Sequence, residues 1–579
     1  MLRWSMLLFV MGCPAPEPVG TDGSDPQNTD GTDDTDETDE TDDTDVPWSL
    51  TEATDPGRPG VPGFVDRLTV EVRTGSGTFD GTNDGGLSLC LTATDCVSLN
   101  VVDVDDNEPG QVDVHHRRGF GMRRADLDRV ELRTADGTDL WRPVCVQVSL
   151  DGEPIHCRAG INPQMGSEGD ETPVWADPQA PTLSCEGCFD RQGLTHGPMV
   201  GATDQTRTRI WVRTDSTRAV SLRMDLDDDL SDGTNVAWAY PKAEDDFTAV
   251  LPVEGLLPDT VFHYGIEVDG RLVHQSKLRT APDEPGRRRI AMGSCTKADE
   301  QPIFAKIDDL DPDVFLFLGD NHYGNTPVQA AHRFQYRWSR SRPERAALLD
   351  HTVTLATWDD HDYVGNNTDG NDPGAAQALA GFREYWANPT YGADAAPGAY
   401  MHHRWGDVEI WMVDARTWRG VDGMLGAAQS DWLLASLRDS DAVFKLVGSG
   451  SQWTEYGSND SWKSFQNERN ALFNSLADSE VEGLVLLSGD IHRSEFLWVK
   501  RGTEELRGYD LPEITSSSIA TWQSPCKADR PTLECFDATE SFVMLDVDTA
   551  VDDPTLTATI YGLQGNVVAD WEIKASQLR

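Results

Sequence analysis

The chain has 579 residues, of which 38% are hydrophobic and 25% are charged, so it can bury a core and is not wholly disordered. Acidic residues outnumber basic residues 99 to 48, and a net charge of −51 argues against nucleic-acid binding, because phosphate repels such a surface. No stretch approaches the roughly 18 apolar residues of a membrane-spanning helix, so any link to a membrane requires an anchor.

The first residues have the layout of a bacterial export signal. Arg3 precedes a short apolar run that ends at Gly12, and residues 1–12 are predicted to be a signal peptide. The run from Val10 to Cys13 resembles a bacterial lipobox, which implies lipidation of Cys13 and anchoring to a membrane through the acyl chains. An ordinary secretory signal cleaved nearby is the alternative. Both interpretations predict an exported protein of the cell envelope.

An acidic segment follows the export signal. Residues 21–45 consist largely of Thr, Asp and Glu and contain neither Lys nor Arg. Like charges repel one another here and there is nothing apolar to bury, so residues 13–60 are predicted to be a disordered, extended tether.

Eight of the ten cysteines are predicted to form disulfides. They fall into four pairs of close neighbours, and in an exported chain such even, short-range pairing is typical of disulfides. Zinc binding at the Cys-x-x-Cys pair is the competing interpretation, but that pair has no second pair of ligands nearby. The predicted pairs are Cys90/Cys96, Cys145/Cys157, Cys185/Cys188 and Cys526/Cys535.

Two regions of alternating polar and apolar residues predict β-sandwich domains. The first, residues 61–160, resembles the PLAT class of sandwiches, with a generic accessory sandwich as the alternative. A linker rich in Pro, Gly and Glu is predicted over residues 161–188. The second region, residues 189–283, resembles a fibronectin/Ig-like sandwich.

From residue 287 the pattern changes to apolar runs that alternate with helical segments, which predicts an α/β domain over residues 287–579. Each apolar run ends in a cluster of polar residues. Ligands of α/β sheets bind at the carboxyl ends of the strands, so these clusters are expected to meet at one rim. The clusters contain Cys295, Asp320, Asn321, Tyr323, Asp359, Asp360, His361, Asp362, Arg416, Asp490 and His492.

The convergence of so many acids predicts metal ions. Carboxylates gathered in one place repel one another unless cations lie among them. Thiolate, phenolate and carboxylate groups together suit a highly charged ion such as ferric iron, whereas carboxylate and amide oxygens suit calcium.

Five short motifs then give a specific resemblance. They are GSC at 293–295, LGDNHY at 318–323, WDDHDYVGNN at 358–367, VDARTWR at 413–419 and LSGDIH at 487–492. Their order and spacing resemble the PhoD-like metallophosphoesterases of the alkaline phosphatase D type, over residues 289–497. The resemblance implies a four-layer αββα core, preceded here by all-β sandwich domains, and phosphate-ester hydrolysis with iron and calcium ions.

The resemblance also implies roles for individual residues. Cys295, Asp320 and Tyr323 would bind an iron-like ion, with Asp320 bridging to a second ion. The remaining ligands implied are Asn321, Asp360, Asp490 and His492. His361 would be the catalytic histidine, and Arg416 would grip the phosphate oxygens. The family often has Asp where this chain has Asn325 and Asn367, which leaves the number of metal ions open.

The sequence thus predicts an exported, monomeric phosphohydrolase that acts on phosphate monoesters or diesters through metal-activated water. Two alternatives stay open: a surface-binding lipoprotein whose catalytic domain has decayed, and a phospholipase D-like phosphodiesterase. The sequence also contains neither a G-x-S-x-G elbow nor a P-loop, so serine-esterase and P-loop chemistry have no support.

Overall fold

The computed structural model describes residues 49–55, nine strands between Arg67 and Ser184, and residues 193–579 except 299 and 421–422. The predicted signal peptide, Cys13 and most of the predicted tether lie outside the described residues. Among the described residues, no helix has the length and apolarity needed to cross a membrane.

The strands before the α/β domain are, in chain order, β1 Arg67–Thr74, β2 Leu87–Cys90, β3 Cys96–Ser98, β4 Val112–Arg118, β5 Val130–Thr134, β6 Pro143–Leu150, β7 Glu153–Ala159, β8 Pro173–Asp177, β9 Leu183–Ser184, β10 Leu194–Val200, β11 Arg207–Thr214, β12 Val220–Asp225, β13 Thr234–Ala239, β14 Thr248–Glu254, β15 Val261–Val268 and β16 Arg271–Arg279.

The strands of the α/β domain are β17 Arg287–Gly293, β18 Val314–Leu318, β19 Val353–Thr357, β20 Gly392–Ala393, β21 Ala396–Pro397, β22 Met401–Trp405, β23 Val408–Met412, β24 Phe444–Ser449, β25 Leu484–Ser488, β26 Ser494–Val499, β27 Leu511–Thr515, β28 Thr532–Phe536, β29 Ser541–Asp548, β30 Thr555–Gly562 and β31 Val567–Lys574. Its helices are α1 Ile303–Asp308, α2 Gln329–Arg340, α3 Pro343–Leu349, α4 Asp360–Tyr363, α5 Ala375–Tyr385, α6 Gly426–Asp439 and α7 Gln466–Asp478. Short 3-10 helices cover Ala243–Asp245, Trp462–Phe465 and Ala575–Gln577.

The region before residue 190 forms two sheets, in the orders β4-β1-β6-β7-β9 and β3-β2-β5-β8. Strands β8 and β9 lie in the stretch 161–188 predicted as a linker, where they pair with β5 and β7. The end of the predicted tether is also structured, because the backbone of Ala53 bonds to that of Asn235 in β13 at 2.8 Å. The sequence predicted a linker over residues 161–188 and a disordered tether over residues 13–60. It did not predict these pairings, because the residues that pair are distant from one another in the chain.

Residues 193–283 also form two sheets, of three strands in the order β10-β11-β14 and of four in the order β13-β12-β15-β16. Their pairs are antiparallel, and β12 and β13 form a hairpin. Buried apolar residues such as Ile210, Leu222 and Ile266 alternate along these strands with polar ones. The structure is therefore all-β here, with seven strands in two sheets.

The α/β domain is built on two larger sheets. The first has the order β19-β18-β17-β29-β30-β31, and the second has the order β22-β23-β24-β25-β27-β26-β28. Strands β17, β18 and β19 are parallel to one another, as are β23, β24, β25 and β27. The central parallel strands are buried on both faces, which explains their continuous apolar sequences such as the run from Val314 to Leu318.

The two sheets pack face to face with a layer of helices on each outer side. Leu318 of β18 lies against Gly448 of β24, where a Cβ would come within 3.0 Å of the leucine. The outer face of the first sheet packs against α1, α2, α3 and α5, and the outer face of the second packs against α6 and α7. This is the four-layer αββα arrangement that the sequence predicted.

The all-β region 193–283 shares a core with the first helical layer. Met199 of β10 and Trp211 of β11 belong to the same buried apolar cluster as Phe382 of α5. The indole of Trp211 donates to the backbone oxygen of Glu384 at 2.7 Å. Because these contacts are buried, the two regions are packed as one body.

The predicted disulfides have different outcomes. The structure contains the Cys526–Cys535 bond, and in the described part of the chain the free cysteine is the buried Cys295. The other three predicted bonds fall on side chains outside the described residues and stay predictions. Those pairs are Cys90/Cys96, Cys145/Cys157 and Cys185/Cys188.

The backbone register distinguishes the first two of these pairs. Cys90 of β2 and Cys96 of β3 are directly opposed in their antiparallel pair. Cys157 of β7 is opposite Gln147 of β6, and Cys145 is opposite Ala159, so this second pair is diagonal rather than directly opposed. The spacing along the chain did not predict this offset, because a register irregularity between Val148 and Ser149 shifts the hairpin. Cys185 and Cys188 lie outside the described residues altogether, so neither their disulfide nor the competing zinc site is tested.

Candidate active site

The predicted metal ligands and His361 follow the carboxyl ends of β17, β18, β19 and β25, and Arg416 follows β23. Four of them have a left-handed backbone, which is uncommon outside glycine. Their φ angles are 65° at Cys295, 52° at Asp320, 71° at Asp490 and 55° at His492. Such conformations persist only where surrounding structure enforces them, and they cluster at functional sites.

A first group of donor atoms gathers around one oxygen of Asp320. The thiol of Cys295 donates to Asp320 Oδ2 at 3.4 Å, and the Tyr323 hydroxyl donates to the same oxygen at 3.2 Å. The Tyr323 hydroxyl also lies 3.2 Å from Nε2 of His492. Cys295, Asp320 and His492 each offer one ligand atom, all within 4.8 Å of one another.

A second group of donors uses the same aspartate. Asp320, Asp360 and His361 offer ligand atoms within 4.8 Å of one another. Asp320 Oδ1 accepts a bond from the backbone N–H of His361 at 3.3 Å, and His361 Nε2 lies 3.9 Å from Asp360 Oδ1. Asp320 is thus shared by both groups, the position that a bridging carboxylate would occupy.

Asn321 and Asp490 lie at the edges of these groups. The Asn321 amide nitrogen donates to Asp362 at 2.5 Å and to the Thr357 carbonyl at 2.8 Å, so its amide is held in one orientation. Its Oδ1 is buried and has no hydrogen-bond partner among the described residues. The Asp490 carboxylate accepts a bond from the Ser458 hydroxyl at 3.4 Å.

Arg416 is not presented as a free phosphate-binding group. The side chain is fully buried, and its Nη2 lies 2.5 Å from Asp359 Oδ1. Its Nη1 lies 2.7 Å from Asp460 Oδ2 and donates to the backbone oxygen of Thr368 at 3.2 Å. Both arms of the guanidinium thus face protein acceptors, and the predicted bidentate grip on phosphate stays a prediction.

The acidic groups of the site perturb one another. Burial raises the pKa of Asp320, and the nearby Asp360 carboxylate raises it further. Burial also raises the pKa of Asp490 to about 7, with Asp360 again adding to the effect. The Cys295 thiol has a raised pKa because of burial and of Asp320. Burial is the largest single effect on Asp360 and opposes its ionisation, but Arg416, His361 and hydrogen bonds together outweigh it and lower the pKa of that carboxyl.

These residues fit metal ions by charge and by donor type. Buried carboxylates at such short range are stable together only if cations neutralise them. Asp359 Oδ2 and Asp360 Oδ1, like Asn321 Oδ1, are buried oxygens with no hydrogen-bond partner in the described part of the chain. Thiol, imidazole and carboxylate donors on one side of Asp320 suit a transition metal, and the carboxylate of Asp360 on the other side, beside His361, suits a harder ion.

The structure adds Asn325 to the site. Its Oδ1 lies 2.6 Å from Nδ1 of His361, and the ring of His361 stacks on that of Tyr323 with centroids 4.1 Å apart. In the sequence, Asn325 is notable only as a departure from the family pattern. The sequence offered one signal for its role: Asn325 is a polar residue in the loop after β18, and that loop already supplies three predicted ligands.

The fold and this site define a metallophosphoesterase-like protein. A purple acid phosphatase from yellow lupin (Lupinus luteus) seeds has a similar structure, with a TM-score of 0.52 at 11% identity over 88% of this chain and 90% of that one. A structure of PhoD gives a TM-score of 0.59 at 17% identity over 68% of this chain and 92% of that one.

Residues 290–541 match the family model of the PhoD-like phosphatases, and residues 191–285 match a domain of unknown function, DUF7800. Alkaline phosphatase D of Bacillus subtilis (strain 168) is 22% identical over 310 residues, which are 42% of this chain and 53% of that protein. The chain thus spans about half the length of this curated relative. Its α/β domain is a member of the PhoD-like phosphatase family.

Proposed function

We propose that this chain is an exported, metal-dependent phosphohydrolase that releases phosphate from monoesters or diesters. The observation that carries the proposal is the pair of donor groups that share Asp320, one with Cys295 and His492 and the other with Asp360 and His361. A catalytic domain that had decayed would be expected to lose such donors first. Export and a lipid anchor at Cys13 rest on the sequence of the first residues.

The proposed metal ligands are the predicted set of Cys295, Asp320, Asn321, Tyr323, Asp360, Asp490 and His492. Bound ions would supply Lewis acidity, lowering the pKa of water and neutralising charge on the phosphoryl oxygens. We propose iron on the side of Cys295, where thiol, phenol and imidazole groups surround Asp320, and calcium on the side of Asp360, where a carboxylate is the donor and His361 is kept for proton transfer.

His361 is proposed to pass a proton to the leaving alkoxide. Its Nδ1 faces the Asn325 oxygen and donates its proton to it, so Nε2 is the atom that acts on the substrate. Nε2 has a proton to give when the ring is the doubly protonated imidazolium, and after the transfer the neutral ring keeps its proton on Nδ1. Stacking on Tyr323 fixes the plane of the ring. General acid catalysis of this kind contributes typically about 10²–10⁴-fold in rate.

Metal content and turnover together test this proposal. The chain without residues 1–46 is purified, its metals are measured by elemental analysis, and hydrolysis of p-nitrophenyl phosphate and bis-p-nitrophenyl phosphate is followed. Asp320→Asn is the test variant, because it removes the carboxylate shared by both donor groups. Asp309→Asn is the matched control, because Asp309 is an exposed aspartate at the end of α1.

We expect near-stoichiometric metal and chelator-sensitive hydrolysis in the parent and in Asp309→Asn, and loss of both in Asp320→Asn. The ratio of the two rates then sorts a monoesterase from a diesterase. A folded parent that holds no metal and hydrolyses neither ester would contradict the proposal, and would move the function to the all-β regions.

A further inference from the structure

An exposed tryptophan stands beside the donor groups. Trp522 has 53% of its surface exposed, an unusual fraction for the largest apolar side chain. Its ring meets that of His492 edge to face, with centroids 4.3 Å apart, and lies 6.4 Å from the ring of Tyr323. Trp522 therefore borders two proposed metal ligands while presenting open indole surface.

A lysine accompanies this tryptophan. The ammonium of Lys297 lies 4.9 Å from the centroid of the Trp522 ring and 5.5 Å from that of Tyr323. Lys297 is exposed, and its ammonium lies over two aromatic rings that border the donor groups. A positive charge thus faces the site from its solvent side, in a chain whose net charge is −51.

The loop that carries Trp522 is fixed to the site. The backbone N–H groups of Lys297 and Ala298 both donate to the Ala520 oxygen at 2.8 Å. The Ala520 N–H donates to the Cys295 oxygen at 3.1 Å, and the Ser524 N–H donates to the His492 oxygen at 2.8 Å. The Cys526–Cys535 disulfide closes the far end of the loop. The indole is therefore held in place beside the ligands, as a preorganised binding surface requires.

We propose that Trp522 and Lys297 form a subsite for the leaving group, and that the preferred substrates are nucleotides, in which a planar base is joined to phosphate through a sugar. This inference rests on the proposed function and adds the substrate class. A base stacks favourably on an indole, whereas an aliphatic alcohol gains little from one. The sugar separates phosphorus from the base, so a phosphate at the donor groups places the base beyond His492, on the side of Trp522.

Lys297 has a different part in this subsite. Its charge acts on the phosphate, which all substrates share, and offsets the repulsion of an anionic substrate by an acidic protein. The base contacts Trp522 alone. Loss of Trp522 should therefore change the preference between substrates, whereas loss of Lys297 should affect all substrates alike.

The test compares adenosine 5′-monophosphate with ribose 5-phosphate. In both substrates the leaving group is the same primary alcohol of the ribose, and the nucleotide differs by carrying a base. The metal-loaded chain is assayed as the parent and as Trp522→Ala, Trp522→Phe and Lys297→Met. Trp338→Ala is the matched control, since Trp338 lies in α2 with its ring against Arg342. The readout is the ratio of kcat/KM for the nucleotide to that for the sugar phosphate.

We expect the parent to favour the nucleotide by about tenfold, the size expected of one aromatic stack. Trp522→Ala should lower the ratio to about one, Trp522→Phe should keep most of it, and Lys297→Met should raise KM for both substrates alike. Trp338→Ala should keep the parent ratio. A parent ratio of one, or a Trp522→Ala variant that loses both activities equally, would overturn the subsite.

Calorimetric binding of adenosine separates failure of the subsite from failure of the proposed function. If the parent hydrolyses neither ester, the phosphohydrolase proposal fails, whereas adenosine binding that Trp522→Ala weakens about tenfold would still support the aromatic subsite. If both esters are hydrolysed but adenosine binds parent and Trp522→Ala equally, the subsite is wrong and the hydrolase stands.

Discussion

Asn325 and His361 show how one side-chain contact sets the orientation of a candidate catalytic group. The amide oxygen of Asn325 lies 2.6 Å from His361 Nδ1, which fixes the ring and leaves Nε2 toward Asp360. A histidine without this partner could turn about its side-chain bonds and lose its alignment with a leaving group.

We therefore expect Asn325→Ala to lower kcat by about 10- to 100-fold, within the range of general acid catalysis, while metal content stays that of the parent. Steady-state kinetics with ribose 5-phosphate, whose alkoxide leaving group needs the proton, and elemental analysis provide the measurements. Asn366→Ala is the control, because Asn366 is an exposed asparagine in the loop after α4. A kcat of Asn325→Ala equal to that of the parent would show that the contact of Asn325 with His361 does not contribute to catalysis.

A sequence motif predicted Arg416 as a site residue but did not predict which residues its guanidinium contacts. Its guanidinium bridges Asp359 and Asp460, and its backbone N–H donates to Asp414 at 2.9 Å. Gly319, with φ of 95°, leaves the space that the Asp359 side chain occupies, since a Cβ there would come within 2.7 Å of it. These contacts indicate that Arg416 holds acidic residues together.

Arg416→Met should then lower the free energy of unfolding by about 3–5 kcal/mol, because it leaves the buried carboxylate of Asp359 without its cation, whereas Asp460 keeps its ion pair with Arg419. Denaturant unfolding measures this effect. Arg438→Met, at an exposed position of α6, should stay within about 0.5 kcal/mol of the parent. If Arg416→Met is as stable as the parent but has a strongly raised KM, the result would instead support the prediction that Arg416 binds the phosphate of the substrate.

At the scale of elements, the second sheet buries two carboxylates on adjacent strands. Glu495 of β26 is paired with Arg530 at 2.6 Å and with Arg493 at 2.9 Å. Glu513 of β27 accepts bonds from the Trp453 N–H and the Ser488 hydroxyl, both at 2.8 Å. Burial raises the pKa of Glu513 to about 7, so this carboxyl resists ionisation inside the sheet.

The raised pKa of Glu513 predicts a pH-dependent stability. The folded state holds the proton of Glu513 more tightly than the unfolded state, in which the pKa of a glutamate is near 4.5. The stabilisation that comes from this proton is therefore present at low pH and is lost as pH rises from about 4.5 to about 7. Gln resembles the protonated form, and Glu513→Gln should exceed the parent in stability at pH 8 by about 1–3 kcal/mol. The gain should vanish near pH 4.5.

Thermal unfolding of parent and variant at pH 5, 6, 7 and 8 measures this difference. Glu504→Gln is the control, because Glu504 is exposed in the loop between β26 and β27. A difference in Tm between Glu513→Gln and the parent that does not change with pH would contradict the raised pKa.

At the scale of the whole molecule, one buried aspartate joins the all-β region 193–283 to the α/β domain. Asp246 follows a 3-10 helix of the all-β region, and its carboxylate lies 3.2 Å from Nη2 of Arg213 in β11. It also lies 2.7 Å from Nη1 of Arg337 in α2 and accepts a bond from the Tyr385 hydroxyl in α5. The two regions are thus held by charge as well as by their shared core.

Asp246→Asn should destabilise both regions together by about 3 kcal/mol, because it removes the negative partner of two buried arginines. Unfolding followed by far-UV and near-UV circular dichroism should give one coincident transition, shifted to lower denaturant. Asp232→Asn, in the exposed β12–β13 turn, is the matched control. Two separate transitions in the variant would show that the regions fold independently.

Much of the α/β fold could be predicted from the sequence because buried parallel strands are continuous apolar runs, as Val314–Leu318 and Leu484–Ser488 are. The proposed ligands could be predicted for the same reason, since each follows such a run. The strands β8 and β9 could not, because they are short and their partners lie far away in the chain.

Local hydrophobic patterns were enough to predict an α/β domain after all-β regions, and the resemblance that the short motifs carry implied its two-sheet core and the proposed donor residues. Two contacts became visible only in the folded molecule: Arg416 faces Asp359 and Asp460, and Trp522 borders His492. The physical reason is that these contacts join residues that are distant along the chain, and their geometry follows from how the two sheets pack.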